Sequence, residues 1–563
     1  MQLDLNLPTK LPKRAYNYGS RSSGEVHGVV LTKPHIVELI LDLAGYTTDR
    51  DLSSMALLEP ACGHGAFLIP AVDRLLESAI RFGRPPSSLE QAILAFDIEP
   101  EHVVQTKAAL RTVLQRHKVG ETDISKLVET WVREEDFLLA PINRNLDVVV
   151  GNPPYIRIEQ LSEALQAEYR RRYISIFDRA DIYVAFIERG LRLLSPQGVL
   201  SFICADRWVS NKYGAPLREL VSAKYRLLAY IDMHKASPFE SEVIAYPSIF
   251  LLSPGRPEDV PVVSLETGSK EECLATTALL RGERALPLPP GVTIANYKTW
   301  FAGSDPWVLS SPAHLETLRT LEGKFAPIES MARVGIGVAT GCDRIYIVSR
   351  DADIEPDRLV PLVMREDIEK GAIKNANRCV INAFDDGGGV VNLSNYPRLT
   401  AYLMAHAADI KKRHVARKNG GSWFRTIDRV YPKLVSIPKL LIPDIAGANE
   451  VVLDEGHYHP HHNLYFIASD SWDMEVLGGL LSSRMALFFV WSYAVKMRGG
   501  YLRFQAQYLR RIRLPDPKTL PVELSTAIGK AFTKRDFGLL DELSLEAYGM
   551  KKLPEFDFVD TRK

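Results

Sequence analysis

The sequence predicts two structural parts: a doubly wound α/β sheet in the first half of the chain and a separate α+β domain after it. Up to Leu252, short apolar runs alternate with longer segments of helical periodicity, a pattern typical of βαβ units. Beyond Leu252, prolines and glycines cluster and the segments become shorter and mixed. A length of 563 residues also exceeds what one hydrophobic core usually supports.

Several apolar runs of the first half are predicted to be strands of this sheet: 56–59, 92–98, 146–150, 199–204, 227–232 and 248–252. Apolar residues recur at helical spacing over 66–81 and 182–194, which predicts helices there. Because strands and helices alternate, we expect a doubly wound sheet that binds its ligands beyond the carboxyl ends of the strands.

Turn-forming residues indicate where the domains divide. Prolines and glycines cluster at 253–262 and 286–291, which suggests a linker, and turn signals such as 385–389 (DDGGG) follow. The predicted parts are an N-terminal tail (1–26), a sheet domain (27–255), a linker region (256–325), an α+β domain (326–515) and a C-terminal helical tail (516–563).

The composition, with 46% apolar and 25% charged residues, is that of a soluble globular protein. The sequence has no run of 18 apolar residues, which argues against a membrane span, and it begins without the apolar stretch of a secretory signal. Its five cysteines include no CxxC pair, which argues against a disulfide scaffold or a zinc ribbon. We therefore expect a cytoplasmic protein in a reducing compartment.

Charge is balanced over the whole chain but not locally. The 69 basic and 69 acidic residues neither require nor exclude a nucleic-acid partner. The segment 411–439 holds nine Lys or Arg against one acid, and 496–513 holds six and no acid. Such runs are usually solvated faces. Aromatic residues interleave with these two, which makes a phosphate-tracking surface an equally good interpretation: Trp423, Phe424, Tyr501, Phe504 and Tyr508.

The first chemical signal is the turn after strand 56–59, in which residues 59–65 read EPACGHG. Its glycines allow the backbone to approach a ligand closely, although a plain tight turn explains them equally well. The turn lacks the Lys-Ser/Thr pair of a phosphate loop. The acid at the strand end, Glu59, suits a cationic ligand better than a pyrophosphate.

Two further acids follow the next strands. Asp97 ends strand 92–98, where a carboxylate can accept hydrogen bonds from both hydroxyls of a ribose. A helix cap or a surface acid is the commoner explanation of one such residue. Asp136 can accept a hydrogen bond from an exocyclic adenine amine while Phe137 packs on the ring, but in isolation this pair is uninformative.

The most specific signal is Asn152-Pro153-Pro154-Tyr155, directly after the apolar run LDVVVG. A given tetrapeptide arises by chance about once in 10⁵ positions at ordinary residue usage. The prolines stiffen the loop and remove backbone donors, which leaves the Asn152 amide oxygen and the Pro153 carbonyl to accept from one planar NH₂ group. Tyr155 then offers a face on which the ring bearing that group can stack.

These motifs, in this order, resemble the γ-class (Taq-type) adenine-N6 DNA methyltransferases of restriction–modification systems. Residues 58–67 are similar to the family's first motif and 152–155 match its catalytic loop; 27–34, 181–186 and 198–205 look like its N-terminal cofactor, fifth and sixth motifs. The likeness covers 27–252 and extends more loosely to 335–344 and 499–515. It implies a Rossmann-like sheet of the S-adenosylmethionine-dependent methyltransferase kind and a C-terminal α+β target-recognition domain.

The resemblance also implies a residue-by-residue cofactor site. The methionine part of S-adenosylmethionine would face a threonine, the strand-end acid and the small-residue turn: Thr32, Glu59, Pro60, Ala61, Cys62, Gly63 and Gly65. Asp97 would hold the ribose, and Ile98 would lie beside the adenine. Asp136 and Phe137 would read the adenine amine and ring, and Asn152 belongs to this site as well as to the catalytic loop.

The catalytic residues implied are the loop and one distant aromatic: Asn152, Pro153, Pro154, Tyr155 and Phe239. Asn152 and Pro153 would bind N6 of the target adenine, and Tyr155 would stack on the flipped base. Phe239 matches the spacing of a second stacking aromatic, with an ordinary core phenylalanine as the alternative.

The implied function is site-specific transfer of a methyl group from S-adenosylmethionine to N6 of a flipped-out adenine in double-stranded DNA, in the prokaryotic cytosol. The methyl group is already activated, so we expect no metal and no covalent enzyme intermediate. We also expect a monomer. Any cognate restriction endonuclease is expected on a separate chain, because only 26 residues precede the first motif and 48 follow Pro515.

Two alternatives stay open in the sequence. A methyltransferase acting on a planar amide or amine of protein (a release-factor glutamine) or of RNA would use the same loop, although the families it would resemble are generally shorter. A non-catalytic DNA-binding subunit is disfavoured by the intact Glu59, Asp97, Asp136 and Asn152. The histidines of 457–462 (HYHPHH) fit no standard metal spacing, and an exposed turn is expected there.

Overall fold

The computed structural model describes residues 31–241, 247–283, 287–298, 300–308, 310–374, 376–446, 450–494 and 502–556. The chain divides into two compact units, an N-terminal unit (Met1–Val308) and a C-terminal unit (Leu309–Lys563). The predicted tail 1–26, residues 27–30 of the N-terminal motif, and Lys496, Arg498 and Tyr501 of the second basic run lie outside the described residues.

The N-terminal unit is built on one large sheet, which has nine strands in the described residues. The strands are β1 (Leu57–Glu59), β2 (Ile93–Asp97), β3 (Val132–Glu134), β4 (Leu146–Gly151), β5 (Leu194–Ala205), β6 (Tyr225–Asp232), β7 (Pro247–Pro254), β8 (Val260–Leu265) and β9 (Val292–Tyr297). Their order is β3-β2-β1-β4-β5-β7-β6-β8-β9, and β3, β2, β1, β4 and β5 run parallel. β7 is antiparallel to β5 and β6, and β9 is antiparallel to β8.

Helices connect and cover these strands: α1 (Pro34–Leu43), α2 (Leu68–Arg81), α3 (Pro100–Arg116), α4 (Glu121–Trp131), α5 (Glu163–Arg172), α6 (Tyr183–Leu193), α7 (Arg207–Ser210), α8 (Ala215–Lys224) and α9 (Lys270–Leu280). In α2 the apolar residues recur three and four positions apart, and that stripe is buried against the sheet. Buried residues of α1, α2, α3, α4 and α9 share one apolar core with the sheet. The central strands are apolar on both sides because helices cover both faces.

The predicted doubly wound sheet is confirmed, but the predicted linker at 256–325 is wrong. Strands β8 and β9 extend the main sheet, and α9 packs against its core. The prolines and glycine around 254–257 form the short turn between β7 and β8, where the Gly255 amide donates to the Lys224 carbonyl at 3.1 Å. Turn composition alone does not distinguish a tight connection within a sheet from a linker between domains.

The C-terminal unit is a mixed α+β structure with several small sheets. Its helices are α10 (Pro312–Lys324), α11 (Asp343–Tyr346), α12 (Pro397–Ala405), α13 (Ala407–Lys412), α14 (His414–Lys418), α15 (Met474–Ser482), α16 (Arg484–Tyr493), α17 (Ala506–Leu509), α18 (Val522–Lys534) and α19 (Phe537–Tyr548). Its strands are β10 (Ala326–Pro327), β11 (Arg333–Ile336), β12 (Ile347–Ser349), β13 (Leu359–Val363), β14 (Ile368–Glu369), β15 (Ala372–Ile373), β16 (Arg378–Ile381), β17 (Lys439–Pro443), β18 (Ile445–Ala446), β19 (Val452–Asp454), β20 (His459–Pro460), β21 (Leu464–Ala468), β22 (Leu502–Arg503) and β23 (Arg513–Leu514).

Two four-stranded sheets organise this unit in the described residues, in the orders β11-β21-β17-β19 and β12-β16-β13-β20. The segment 516–563 contains α18 and α19, and these helices pack tightly on α15. Gly478 lies against the Phe532 ring, and Gly479 lies against Ile528 and Leu540. The predicted helical tail is therefore an integral part of the unit, as is α10 from the predicted linker.

Among the described residues no single helix is long and apolar enough to cross a membrane. Helices α15 and α16 reach the required composition only as a pair, and the chain bends by 60° between them. Nearly all of their apolar side chains are buried inside the protein.

The histidine segment 457–462 is only partly the exposed turn that the sequence predicts. His459 and His461 are buried. Strand β20, which contains His459, pairs with β13, so His459 and the residues directly after it lie inside the unit. The first basic run is also more structural than predicted. Arg413 donates to the carbonyl oxygens of Thr340, Trp423 and Arg425, which ties three parts of the unit together.

A buried ion pair holds β17 to β19. The Lys439 Nζ lies 2.7 Å from the Asp454 Oδ2, and both side chains are 0% exposed. The ammonium also donates to the carbonyl oxygens of Leu434 and Ile437, both at 3.0 Å. Burial lowers the pKa of Lys439, and the Asp454 carboxylate opposes that shift. Both charges are therefore removed from water, and no solvent molecule can replace the Asp454 carboxylate beside the Lys439 ammonium.

We predict that Asp454→Ala lowers the free energy of unfolding by about 3–5 kcal/mol, because it leaves the Lys439 charge buried without its carboxylate. Urea unfolding followed by circular dichroism measures the change. The matched control is Glu369→Ala, which removes the exposed Lys374–Glu369 pair and should change stability by less than about 1 kcal/mol. Equal, small effects of the two substitutions would contradict this account.

Candidate functional site

A deep cleft opens at the carboxyl ends of β1, β2 and β4, where the strand order reverses. It holds about 1000 Å³ of empty space, counting the part open to solvent. The structure brings most of the sequence-predicted cofactor residues to its wall: Thr32, Glu59, Pro60, Ala61, Cys62, Gly63, Asp97, Ile98, Asp136, Phe137, Asn152 and Pro154. In doubly wound sheets this reversal point is the usual place for a ligand.

The turn after β1 is tied to the end of β2. The Gly63 amide donates to the Asp97 Oδ2 at 2.8 Å, and the Cys62 amide donates to the Phe96 carbonyl at 2.8 Å. Gly63 has a φ of 51° and Gly65 a φ of 85°, which L side chains rarely adopt. A Cβ at Gly63 would meet no atom within 4 Å, so the space beside this cleft-lining residue is open.

Asp97 is held by three donors and projects into the cleft. Besides Gly63, its carboxylate accepts from the Glu99 amide at 2.9 Å and from the His102 Nδ1 at 3.2 Å. The hydrogen bond to Asp97 raises the pKa of His102. The His102 ring packs edge-on to His64, with 4.6 Å between ring centroids. His102 was not among the predicted site residues; it follows Asp97 by five positions and lies in the first turn of α3.

Glu59 is the most deeply buried acid of the cleft, with 1% of its surface exposed. Its Oε2 has no hydrogen-bond partner among the described residues. Burial, with the Asp97 carboxylate nearby, raises the pKa of the Glu59 carboxyl well above its ordinary value. A buried acceptor of this kind favours a ligand that brings a positive charge or hydrogen-bond donors.

The opposite side of the cleft combines an acid with aromatic rings. The Asp136 carboxylate accepts from the Leu138 amide at 2.8 Å and from the Tyr169 hydroxyl at 2.6 Å. The Phe137 ring lies 5.3 Å from Phe186, measured between centroids. Tyr169 comes from α5 and was missed by sequence analysis, because nothing in its local sequence links it to Asp136 more than thirty positions earlier.

The Asn152–Tyr155 loop leaves β4 along the same cleft. The Asn152 Nδ2 donates to the Thr32 Oγ1 at 3.4 Å, which orients the amide. Asn152 and Pro154 line the cleft, whereas Pro153 is buried behind it. The Tyr155 ring lies 6.2 Å from that of Tyr183, and its hydroxyl is buried without a partner in the part of the chain that the structure describes.

Phe239 does not occupy the position predicted for it. It is 6% exposed and belongs to the main apolar core, and it does not line the cleft. Its segment pairs antiparallel with the chain around Thr32: the Lys33 amide donates to the Pro238 carbonyl at 2.9 Å. In this conformation the core takes up the ring, and the stacking role of Phe239 stays a prediction. Gly65 also lies off the cleft, against Ile69.

Of the interleaved aromatic residues singled out in the two basic runs, the structure describes four, of which two are buried and two are partly exposed. Phe424 and Phe504 are buried in the C-terminal unit, whereas Trp423 and Tyr508 are partly exposed. The exposed basic residues of the first run are Lys411, Lys412, Arg417, Lys418 and Lys433. These side chains face solvent, and the partly exposed Trp423 lies in the same run. A phosphate-tracking surface at this run stays a prediction.

Related proteins match nearly the whole chain. Residues 91–239 match the family described as Eco57I restriction-modification methylase. The type II methyltransferase M.BstVI of Geobacillus stearothermophilus is 42% identical over 548 residues, which cover 95% of this chain and 98% of that protein. The type II methyltransferase M.PaeR7I of Pseudomonas aeruginosa is 43% identical over 532 residues, which cover 93% of this chain and 92% of that protein.

One solved structure shares the fold over most of the chain. It is the type IIL restriction-modification enzyme MmeI, determined in complex with DNA, with a TM-score of 0.57 over 93% of this chain and 74% of that one. At 12% sequence identity this likeness concerns the fold alone. The two relatives at 42% and 43% identity are matched almost from end to end, and the chain therefore belongs to the type II methyltransferases of restriction–modification systems.

Proposed function

We propose that this protein transfers a methyl group from S-adenosylmethionine to N6 of an adenine in double-stranded DNA, as the modification enzyme of a restriction–modification system. The observation that carries the proposal is the position of the Asn152–Tyr155 loop. Asn152 lines the same cleft as Glu59, Asp97 and Asp136, so a group that binds an amine and a group of acids that binds a cation share one cavity.

The carboxyl groups that line the cleft, and the open space beside them, fit S-adenosylmethionine. The buried Glu59 carboxyl matches the positively charged methionine end, and the open space at Gly63 admits the cofactor next to the backbone. Asp97, fixed by Gly63 and Glu99, presents its carboxylate to the ribose hydroxyls. Asp136 accepts from the adenine amine, with Ile98 and Phe137 against the ring. When bound, the cofactor supplies an electrophilic methyl group.

The chain's own residues then act on the adenine amine. Its lone pair is conjugated with the ring, which makes it a poor nucleophile. The Asn152 amide oxygen and the Pro153 carbonyl accept hydrogen bonds from its two N–H groups, draw the nitrogen toward tetrahedral geometry and stabilise the positive charge that develops there. The Tyr155 ring stacks on the base and offsets part of the few kcal/mol needed to flip it out of the duplex.

The C-terminal unit is proposed to recognise the DNA target, and the protein is proposed to act as a monomer in the cytoplasm with any cognate endonuclease on a separate chain. Exposed Lys411, Lys412 and Lys418 would contact phosphates. Membership of the type II methyltransferases supports DNA as the substrate over the protein glutamine or RNA alternatives. No described feature favours those alternatives.

We predict that Asn152→Ala lowers kcat for methyl transfer to unmethylated double-stranded DNA by about 10²-fold or more, because one of two charge-stabilising acceptors is lost. Tritiated S-adenosylmethionine measures the rate. Asn145→Ala is the matched control, since Asn145 is an exposed asparagine before the opposite end of β4. Cofactor affinity within about 10-fold of wild type would show that the cleft is intact. Equal transfer rates for the two variants would contradict the proposed role of Asn152.

We predict that Glu59→Gln stabilises the cofactor-free protein by about 1–3 kcal/mol at pH 8, because it removes a buried ionisable carboxyl whose Oε2 has no partner in the described residues. Below the ordinary value of 4.5, the carboxyl is protonated in both the folded and the unfolded chain, so the gain vanishes there. Above it the unfolded chain ionises first, so the gain grows with pH. Urea unfolding between pH 4 and 8 measures this trend.

The same substitution should weaken S-adenosylmethionine binding by about 10- to 100-fold, since a hydrogen-bonded charge is lost. Glu99→Gln, which changes a more exposed acid of the cleft, is the control and should leave stability nearly unchanged. A Glu59→Gln protein that is less stable than wild type at pH 8 would contradict the prediction, because it would show that the buried carboxyl does not lower the free energy of unfolding.

A further inference from the structure

Three potential metal ligands converge in the C-terminal unit. The Asp343 Oδ2 lies 3.1 Å from the His461 Nε2, and the His462 Nδ1 lies 2.9 Å from the same nitrogen. One ligand atom from each residue lies within 4.8 Å of the other two. Sequence spacing does not reveal this group, because Asp343 precedes His461 by more than one hundred positions. We call these residues the Asp343–His461–His462 cluster.

The Asp343 carboxylate is pre-positioned by its own loop. Its Oδ1 accepts from the Thr340 hydroxyl at 2.5 Å, and that hydroxyl also accepts from the Cys342 amide at 3.0 Å. The second oxygen, Oδ2, is thereby directed toward the histidines. The side chain remains 41% exposed, so solvent reaches this corner of the cluster.

The two histidines are fixed through the backbone. The Val338 amide donates to the Pro460 carbonyl at 2.9 Å, and the His462 amide donates to the Val338 carbonyl at 3.1 Å. The His461 amide donates to the Val363 carbonyl at 3.0 Å, and its ring is buried. Both rings are therefore presented by paired backbone, which reduces the entropy lost when a ligand binds.

The cluster has more acceptors than protons to satisfy them. A neutral His461 offers at most one Nε2 proton, and both the Asp343 carboxylate and the His462 Nδ1 face it. Converging lone pairs are best satisfied by one cation placed between them.

We propose that Asp343, His461 and His462 bind one divalent transition-metal ion, with zinc the best fit. Two imidazoles and one carboxylate are preferred zinc ligands, and water would complete a four-coordinate site on the exposed side. Tetrahedral zinc places ligand atoms about 3.3 Å apart, which is close to the 2.9 and 3.1 Å separations from His461. The ligand atoms of Asp343 and His462 lie within 4.8 Å of each other, and side-chain rotation would bring them to the tetrahedral separation. The ion would tie residues 337–343 to 461–462 and has no part in the proposed methyl transfer.

Zinc titration of the untagged full-length chain, after chelator treatment and dialysis, tests the site. We expect one equivalent to bind and to raise the thermal unfolding temperature, because a ligand that binds the folded state stabilises it. Asp343→Asn and His462→Ala should each weaken zinc affinity at least 10-fold and abolish the rise in unfolding temperature, since loss of even an outer-shell partner costs that much.

His457→Ala is the matched control. His457 lies in the same segment, its side chain is 65% exposed, and it is not part of the cluster, so its loss should leave zinc binding unchanged. The proposal fails if the wild-type chain binds no zinc, or if the Asp343 and His462 variants bind it as tightly as the control. Cobalt bound to the wild-type chain gives a check independent of variant folding. Absorption identical to that of aqueous cobalt would overturn the site.

Discussion

The hydrogen bond from the Gly63 amide to the Asp97 carboxylate joins the turn after β1 to the end of β2, and the geometry of the cleft depends on it. Asp97 has to satisfy a backbone amide on each side while still facing the cavity. Gly63 has to adopt a positive φ and leave the space beside it empty. These demands explain the small residues of the turn, and they keep Glu59, at the end of β1, beside the same cavity.

Acidic side chains in this cleft oppose the stability of the empty protein. The Glu59 carboxyl is buried, its Oε2 has no hydrogen-bond partner in the described residues, and the Asp97 carboxylate nearby makes its ionisation less favourable still. A cationic cofactor would relieve both effects at once. Glu59 thus lowers the stability of the empty protein and would strengthen the binding of a cationic cofactor. A local conflict of this kind between folding and binding is expected at a functional site.

The local sequence was sufficient to predict the sheet and most of the cleft, because both depend on short patterns: apolar runs for the strands, and an acid or a rigid loop at each strand end. Prediction from local sequence failed where the structure depends on contacts between distant segments. The turns around 256–325 have linker-like composition, yet their strands complete the sheet. Tyr169 reaches Asp136 from another helix. His461 meets Asp343 only after folding.

The most direct test of the proposed chemistry is the identity of the methylated base. DNA is treated with the protein and isotopically labelled S-adenosylmethionine and then digested to nucleosides. The nucleosides are separated by chromatography and identified by mass spectrometry. The proposed acceptors at Asn152 and Pro153 would recognise an exocyclic amine on a flat ring, and adenine and cytosine both carry one. The account predicts label in N6-methyladenine alone; label in N4-methylcytosine, or none in DNA, would contradict it.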